Sequence, residues 1–151
     1  MRFRQAINAT PGLSNAYRPG IQALKEADRR RVDCSDTRRL AGSVNLEGSL
    51  NIAGAPVWDY GIGWRNPARD HAIWIEVHPA TSDHVGSMVD KARWLKQWLR
   101  TSAPALAGIT KPEDGYVWIA SGGVSLQRGS RQARQLAAEG VSFPRERLRL
   151  I

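Results

Sequence analysis

The sequence predicts a mixed α/β domain of the α+β kind, a small central sheet flanked by helices. Three observations carry this. Three segments with strand patterning, 40–50, 57–64 and 72–78, crowd the first half of the chain. A long amphipathic stripe follows at 83–100, and then an apolar run, Tyr116-Val117-Trp118-Ile119-Ala120. The 151 residues suit one domain of ordinary size. Strands close together in sequence favour a meander, and a long helix before a further strand favours a crossover.

Residues 1–17 carry Pro11, Gly12, Ser14 and Asn15 with little periodicity, which predicts an irregular N-terminal arm before a single domain at 18–151. Pro19 is a good first helical residue, and Ile21, Ala23, Leu24 and Ala27 extend an amphipathic helix to about Arg31. Asp33, Ser35 and Asp36 end it. Val44, Leu46 and Leu50 alternate with polar residues, a half-buried strand pattern. Gly54 and Pro56 mark the turn into the strand at 57–64; Asn66, Pro67 and Asp70 mark the next turn. The third strand covers 72–78, and Pro79 is expected to close it, because proline cannot donate to a ladder.

Thr81, Ser82 and Asp83 are N-cap candidates for the strongest helix, in which Val85, Met88, Val89, Ala92, Leu95 and Leu99 form the core stripe. Pro104, Gly108, Pro112 and Gly115 punctuate the stretch before the strand at 116–120. Ser130 is placed to cap a last helix through Glu139, ended by Gly140, and the tail 143–151 is basic and apolar by turns.

Charge narrows the partners. Lys and Arg total 22 against 14 Asp and Glu, a formal net charge of +8. Such a surplus favours nucleic acid first and an anionic surface second. Arg38, Arg39, Arg131 and Arg134 are the candidate phosphate contacts, the last two sharing a helix face. No stretch approaches the roughly 20 apolar residues of a membrane span, and no apolar signal core follows the N-terminus. Cys34 is the only cysteine, so no intrachain disulfide forms and a cytoplasmic setting is expected. Of the six tryptophans, Trp94 lies opposite its helix stripe, which points to a protein partner or a homodimer; Trp58 and Trp64 are expected on one strand face.

The chemistry-bearing residues stand in the strands. Asp59 in Trp58-Asp59-Tyr60 and Glu76 in Ile75-Glu76-Val77 each place a carboxylate in an apolar run, 17 residues apart. Such a carboxylate is costly unless it is paired or binds a metal. On adjacent strands the two suggest a divalent-metal site. Glu76 and His78 share a face with Trp74, and Ile73, Ile75 and Val77 take the other. The structural alternative pairs the acids with Arg65, Arg69 or Arg93. A zinc set drawn from His71, Glu76, His78 and His84 fits no helical metal spacing.

This element order, with these carboxylates, resembles the PD-(D/E)XK nuclease superfamily, whose restriction-endonuclease-like core is αβββαβ. Asp59 matches the Asp of its second strand, and Glu76-Val77-His78 matches the motif of its third strand, with histidine where the family has lysine. The likeness spans roughly 18–121. It implies a metal-dependent nuclease acting on DNA or RNA, with Asp59 and Glu76 holding Mg²⁺ or Mn²⁺ and Glu47 as a further ligand. The family's lysine helps position the attacking water and stabilises charge on the phosphate. In its place the sequence offers His78, or Lys91 at the edge of the long helix's apolar stripe. The alternative is a catalytically inactive relative that binds nucleic acid or a protein partner; a third reading is an accessory protein whose basic surface docks on an acidic partner.

Overall fold

The computed structural model describes residues 1–151. Its centre is a four-stranded sheet in the order β2-β3-β4-β5, built from β2 (Leu40–Asn45), β3 (Tyr60–Arg65), β4 (Asp70–Ala80) and β5 (Tyr116–Val124). β2, β3 and β4 form the expected antiparallel meander. β5 lies parallel to β4. A parallel neighbour requires a long crossover, and α4 (Val85–Ser102) supplies it, followed by α5 (Pro104–Ile109).

Alternation along β4 decides what each face of the sheet covers. Ala72, Trp74 and Ala80 join the larger core cluster, which takes in the α4 stripe of Val85, Met88, Val89, Ala92, Leu95 and Leu99. Ile73 and Ile75, with Tyr60, Ile62 and Trp64 of β3, join a smaller cluster on the opposite face. That face is covered by Leu24 and by a parallel pair, β1 (Val32–Cys34) with β6 (Leu148–Leu150). On the α4 side β3 presents glycines. A Cβ on Gly61 would stand 2.5 Å from Trp74, and one on Gly63 would stand 2.4 Å from Phe3. These two positions admit large aromatic rings against the backbone.

Several expectations are corrected. Residues 1–17 are not a detached arm: α1 (Phe3–Asn8) buries Phe3, Ala6 and Ile7 against the sheet, and Leu13 is also fully buried. Six residues are too few for a periodic signal, and tertiary burial rather than propensity holds such a helix. The helix expected over 19–31 is reduced to α2 (Glu26–Arg29) after a series of turns. There Arg18 bridges to Ser43 of β2, and the Ser43 hydroxyl accepts from Ala23 N.

The first strand stops at Asn45, whose side chain accepts from Gly48 N and caps α3 (Leu46–Leu50). Glu47 is therefore helical and exposed, not a strand residue. The second strand begins at Tyr60, so Trp58 precedes it and enters the larger cluster while Trp64 enters the smaller one; they do not share a face.

Pro79 does not end β4. It sits in the irregularity between His78 and Ala80, where the ladder skips a residue and a proline is tolerated. α4 starts after a 3-10 turn (Ser82–His84), and none of Thr81, Ser82 or Asp83 caps α4 itself. α6 (Arg131–Ala138) is capped by Ser130 as expected. Trp94 is half-buried and stacks on Trp98 at 5.8 Å. No helix is long and apolar enough to cross a membrane.

Candidate active site

The β3–β4 register pairs Tyr60 with Ile75. One residue further out, the same antiparallel register sets Asp59 opposite Glu76. Two hydrogen bonds fix Asp59 there: Leu46 N donates to its carbonyl at 2.8 Å, and Val77 N donates to its Oδ2 at 3.0 Å. The side chain is thus tied to β4 beside Glu76. Because Glu76 shares the face of Trp74, both carboxylates lie under α4.

Glu76 is fully buried. Lys91 of α4 donates to its Oε1 at 2.6 Å. Its other oxygen, Oε2, has no hydrogen-bond partner, and only Trp58 Nε1, next in sequence to Asp59, shares that condition among the buried side-chain polar atoms. A hydrogen bond between the Glu76 and Asp59 carboxyls becomes available once one of the two carries a proton. Burial, then the Asp59 carboxylate, pushes the Glu76 carboxyl from 4.5 up to about 9, and Lys91 only partly offsets this. Burial pulls the Lys91 ammonium down, but Glu76, Asp59 and Glu47 outweigh it and the net shift is upward. Lys91 remains a hydrogen-bond donor to Glu76 whether or not the carboxyl is ionised.

Two clefts approach this cluster from solvent. One, about 450 Å³, is lined by Asp59, Tyr60, Glu47, Lys25 and Asp28 among others. The other, about 320 Å³, is lined by Lys91, Glu47 and the loop 51–57. Glu47 stands where they meet. It does not close a preformed ligand shell, since no three His, Cys, Asp or Glu side chains gather as a metal-holding group. At the rim the Tyr60 hydroxyl donates to Asp28 Oδ2 at 2.6 Å, and burial, then that bond, raises the phenol's pKa.

The other candidates fall elsewhere. His78 points to the α4 side, but its Nδ1 faces Pro79 O at 3.3 Å and its ring packs on His84 at 4.5 Å between centroids. No hydrogen bond joins it to Asp59 or Glu76. His84 is held by Thr81 Oγ1 at 2.7 Å, and His71 meets Asn66 at the far end of the sheet, so the four-residue zinc set does not assemble.

Arg38 pairs with Asp36. Arg39 bonds Arg65 O and Asn66 and lies over the Trp64 ring, at the end of β3 away from Asp59. Arg131 and Arg134 are on α6, which packs with α4. The α4 side chains that meet the end of α6, Arg93 and Lys96, bond Glu139. Lys96 is about 140° around the helix from Lys91. None of Arg65, Arg69 and Arg93 pairs with Asp59 or Glu76.

Asp59 and Glu76 were readable as isolated acids in apolar runs. Lys91 carried the weaker sign of a lysine at the edge of an apolar stripe. Tyr60 and Asp28 gave none, because their meeting depends on α2 folding over β3. Comparison with known proteins finds no matching family model, no matching curated protein and no matching solved structure.

Proposed function

We propose that the chain is a metal-dependent nuclease of the PD-(D/E)XK type, with Asp59 and Glu76 as cation ligands and Lys91 in the role that the resemblance gives to the third-strand lysine. The observation that supports it is the meeting of three side chains, Asp59 from the residue before β3, Glu76 from β4 and Lys91 from α4, with Glu76 Oε2 accepting no hydrogen bond from a protein donor. The donor set fits a hard divalent cation, because Mg²⁺ takes oxygen ligands and is commonly held by one or two carboxylates with waters completing its shell. Bound there, Mg²⁺ or Mn²⁺ would polarise a phosphate oxygen and lower the pKa of a bound water.

The chain's own groups do the rest. Asp59, anchored by Val77 N, holds its carboxylate in a fixed position. Glu76, whose carboxyl is held well above the usual carboxylate range by burial and by Asp59, would give up its proton on taking a cation as ligand. Lys91 sits beside the carboxylates with its ammonium held charged, where it can receive an anionic phosphate oxygen. Glu47 at the lip is a candidate outer carboxylate.

A non-catalytic relative of the same fold is the second reading. The complete burial of Glu76 behind Lys91 favours it, since a buried carboxyl hydrogen-bonded to a lysine is also a structural device.

Two measurements separate them. With Mn²⁺ at pH 8 the nuclease reading expects a rise in Tm that Asp59→Asn and Glu76→Gln abolish. It also expects cleavage of single- or double-stranded DNA or RNA that both substitutions remove. Nucleic-acid binding without cleavage in Mg²⁺ or Mn²⁺, and no cation-dependent rise in Tm, would establish the second reading.

A further inference from the structure

We infer that the cleft between Arg2, Arg4 and Arg65, at the opposite end of the sheet from Asp59, is a binding site for the phosphate backbone of a nucleic acid. The cleft encloses about 480 Å³, and its other lining residues are Tyr17, Ala41, Asn66 and Asp70. Three guanidinium groups face a single carboxylate there, and that carboxylate is already spent. Asp70 is buried, and its two oxygens accept from Arg2 Nη1 at 3.0 Å and from Phe3 N at 2.7 Å.

The remaining contacts orient the arginines without neutralising them. Arg2 also donates to the carbonyls of Asn66 and Pro67, and Arg65 donates to the carbonyl of Arg38 at 2.7 Å. Arg4 lies over the Tyr17 ring at 4.7 Å. A carbonyl or an aromatic face fixes a guanidinium while leaving its charge and further N–H groups for an incoming anion. The surroundings are positive as well: after burial, Arg69 and Lys111 are what lower the His71 pKa on the neighbouring strand. Arg2 is charge-paired with Asp70, whereas Arg4 and Arg65 are fixed guanidinium forks with no acidic partner, the chemistry of phosphate recognition.

The position of the cleft gives it a direction. Tyr17 of this cleft is followed by Arg18, which lines a polar cleft of about 500 Å³ with Gln22, Asn45 and Gly48. Asn45 and Gly48 in turn line the cleft that holds Asp59. The β3 strand separates the two ends by about 17 Å, or about five duplex base steps. One polyanion can therefore lie on the arginines and reach the carboxylates.

The inference shares only its nucleic-acid partner with the proposed nuclease activity and does not depend on catalysis. Its test is accordingly run without metal. A fluorescein-labelled 20-nucleotide DNA, single-stranded and as a duplex, is titrated in EDTA against wild type, Arg4→Gln, Arg65→Gln and the double variant, from about 50 to 300 mM KCl. An Arg93→Gln/Arg100→Gln protein loses the same formal charge at two exposed positions of α4 and serves as control.

The expected result is a loss of about tenfold in affinity for the double variant at 150 mM KCl. Each single change should lower the salt slope by about one, and the control should change less than threefold. Both arginines are exposed, so Tm is expected to hold. If Arg4→Gln/Arg65→Gln nevertheless unfolds, the single variants carry the test. An equal loss in the control, an unchanged slope in the single variants, or no salt-dependent binding by wild type overturns the inference.

Discussion

β4 meets α4 and the turn that leads into it in two polar pairs of different character. Glu76 and Lys91 form one; His78 and His84, two residues along the strand and seven back along the chain in the 3-10 turn before α4, form the other. In the first pair Glu76 is fully buried and Lys91 half-buried; the pair lies beside a second carboxylate, and one Glu76 oxygen accepts no hydrogen bond from a protein donor. The second is half-exposed, touches no carboxylate, and engages a backbone carbonyl and a threonine hydroxyl. A strand and an antiparallel helix bring many residue types together by the same geometry. Burial and the charge of the next neighbour decide which meeting stores chemical potential. By this standard Lys91, rather than His78, is the residue that the proposed reading puts in the role of the motif lysine.

The comparison is broken most severely by removing its carboxylates. Asp59→Ala and Glu76→Ala are expected to lower metal-dependent cleavage by about a thousandfold or more, since each deletes a ligand of the proposed cation. Lys91→Met is expected to cost about 10²–10³ in kcat, the usual scale for losing one charge-stabilising donor, with Glu76 remaining folded in its protonated form. His78→Gln should change kcat less than about threefold. A loss at His78 comparable with that at Lys91 would invert the assignment.

The effect of pH sharpens the contrast without a substrate. Folded Glu76 keeps its proton up to about pH 9, whereas the unfolded chain releases it near 4.5. A raised carboxyl pKa means that the folded state binds more protons across that window. Its contribution to stability is complete below pH 4.5 and is lost as pH rises toward 9. Denaturant midpoints are therefore expected to fall between pH 5 and 9 in wild type. Glu76→Gln should flatten that slope. The smallest effect sits in the scaffold. Gly61→Ala presses a methyl on Trp74, which holds the face beneath α4, and should cost about 1–3 kcal/mol in urea unfolding with β3 and β4 still paired.

What the sequence disclosed follows the range of the interactions involved. The meander, the α4 stripe and the apolar β5 are set by local periodicity, and each is present near its expected place. α1 and the turn series over 19–25 depend on what they pack against: Phe3 and Ile7 carry no periodic signal, and Leu24, which patterns as helical, is buried from a turn against the sheet. Pro79 was read by the usual rule, and the rule gave way at a bulge.

In the site, the two acids were legible because a carboxylate in an apolar strand is anomalous on its own. Glu47 was assigned to a strand because Asn45 was not taken as the cap that ends it. The nearness of Lys91 to Glu76 was legible only as a helix-face argument. The arginine cleft is hidden in the sequence, because it forms only where the N-terminal residues 2–4, Tyr17 and the β3–β4 turn at 65–70 come together, three separate parts of the chain.

The most direct test is cleavage of labelled single- and double-stranded DNA and RNA in Mn²⁺ by wild type, Asp59→Asn/Glu76→Gln, Lys91→Met and His78→Gln. The account predicts activity in wild type and in His78→Gln, none in the double variant, and a loss of two orders of magnitude or more in Lys91→Met. Cleavage that survives in Asp59→Asn/Glu76→Gln, or no cleavage by wild type on any of the four substrates, would contradict it.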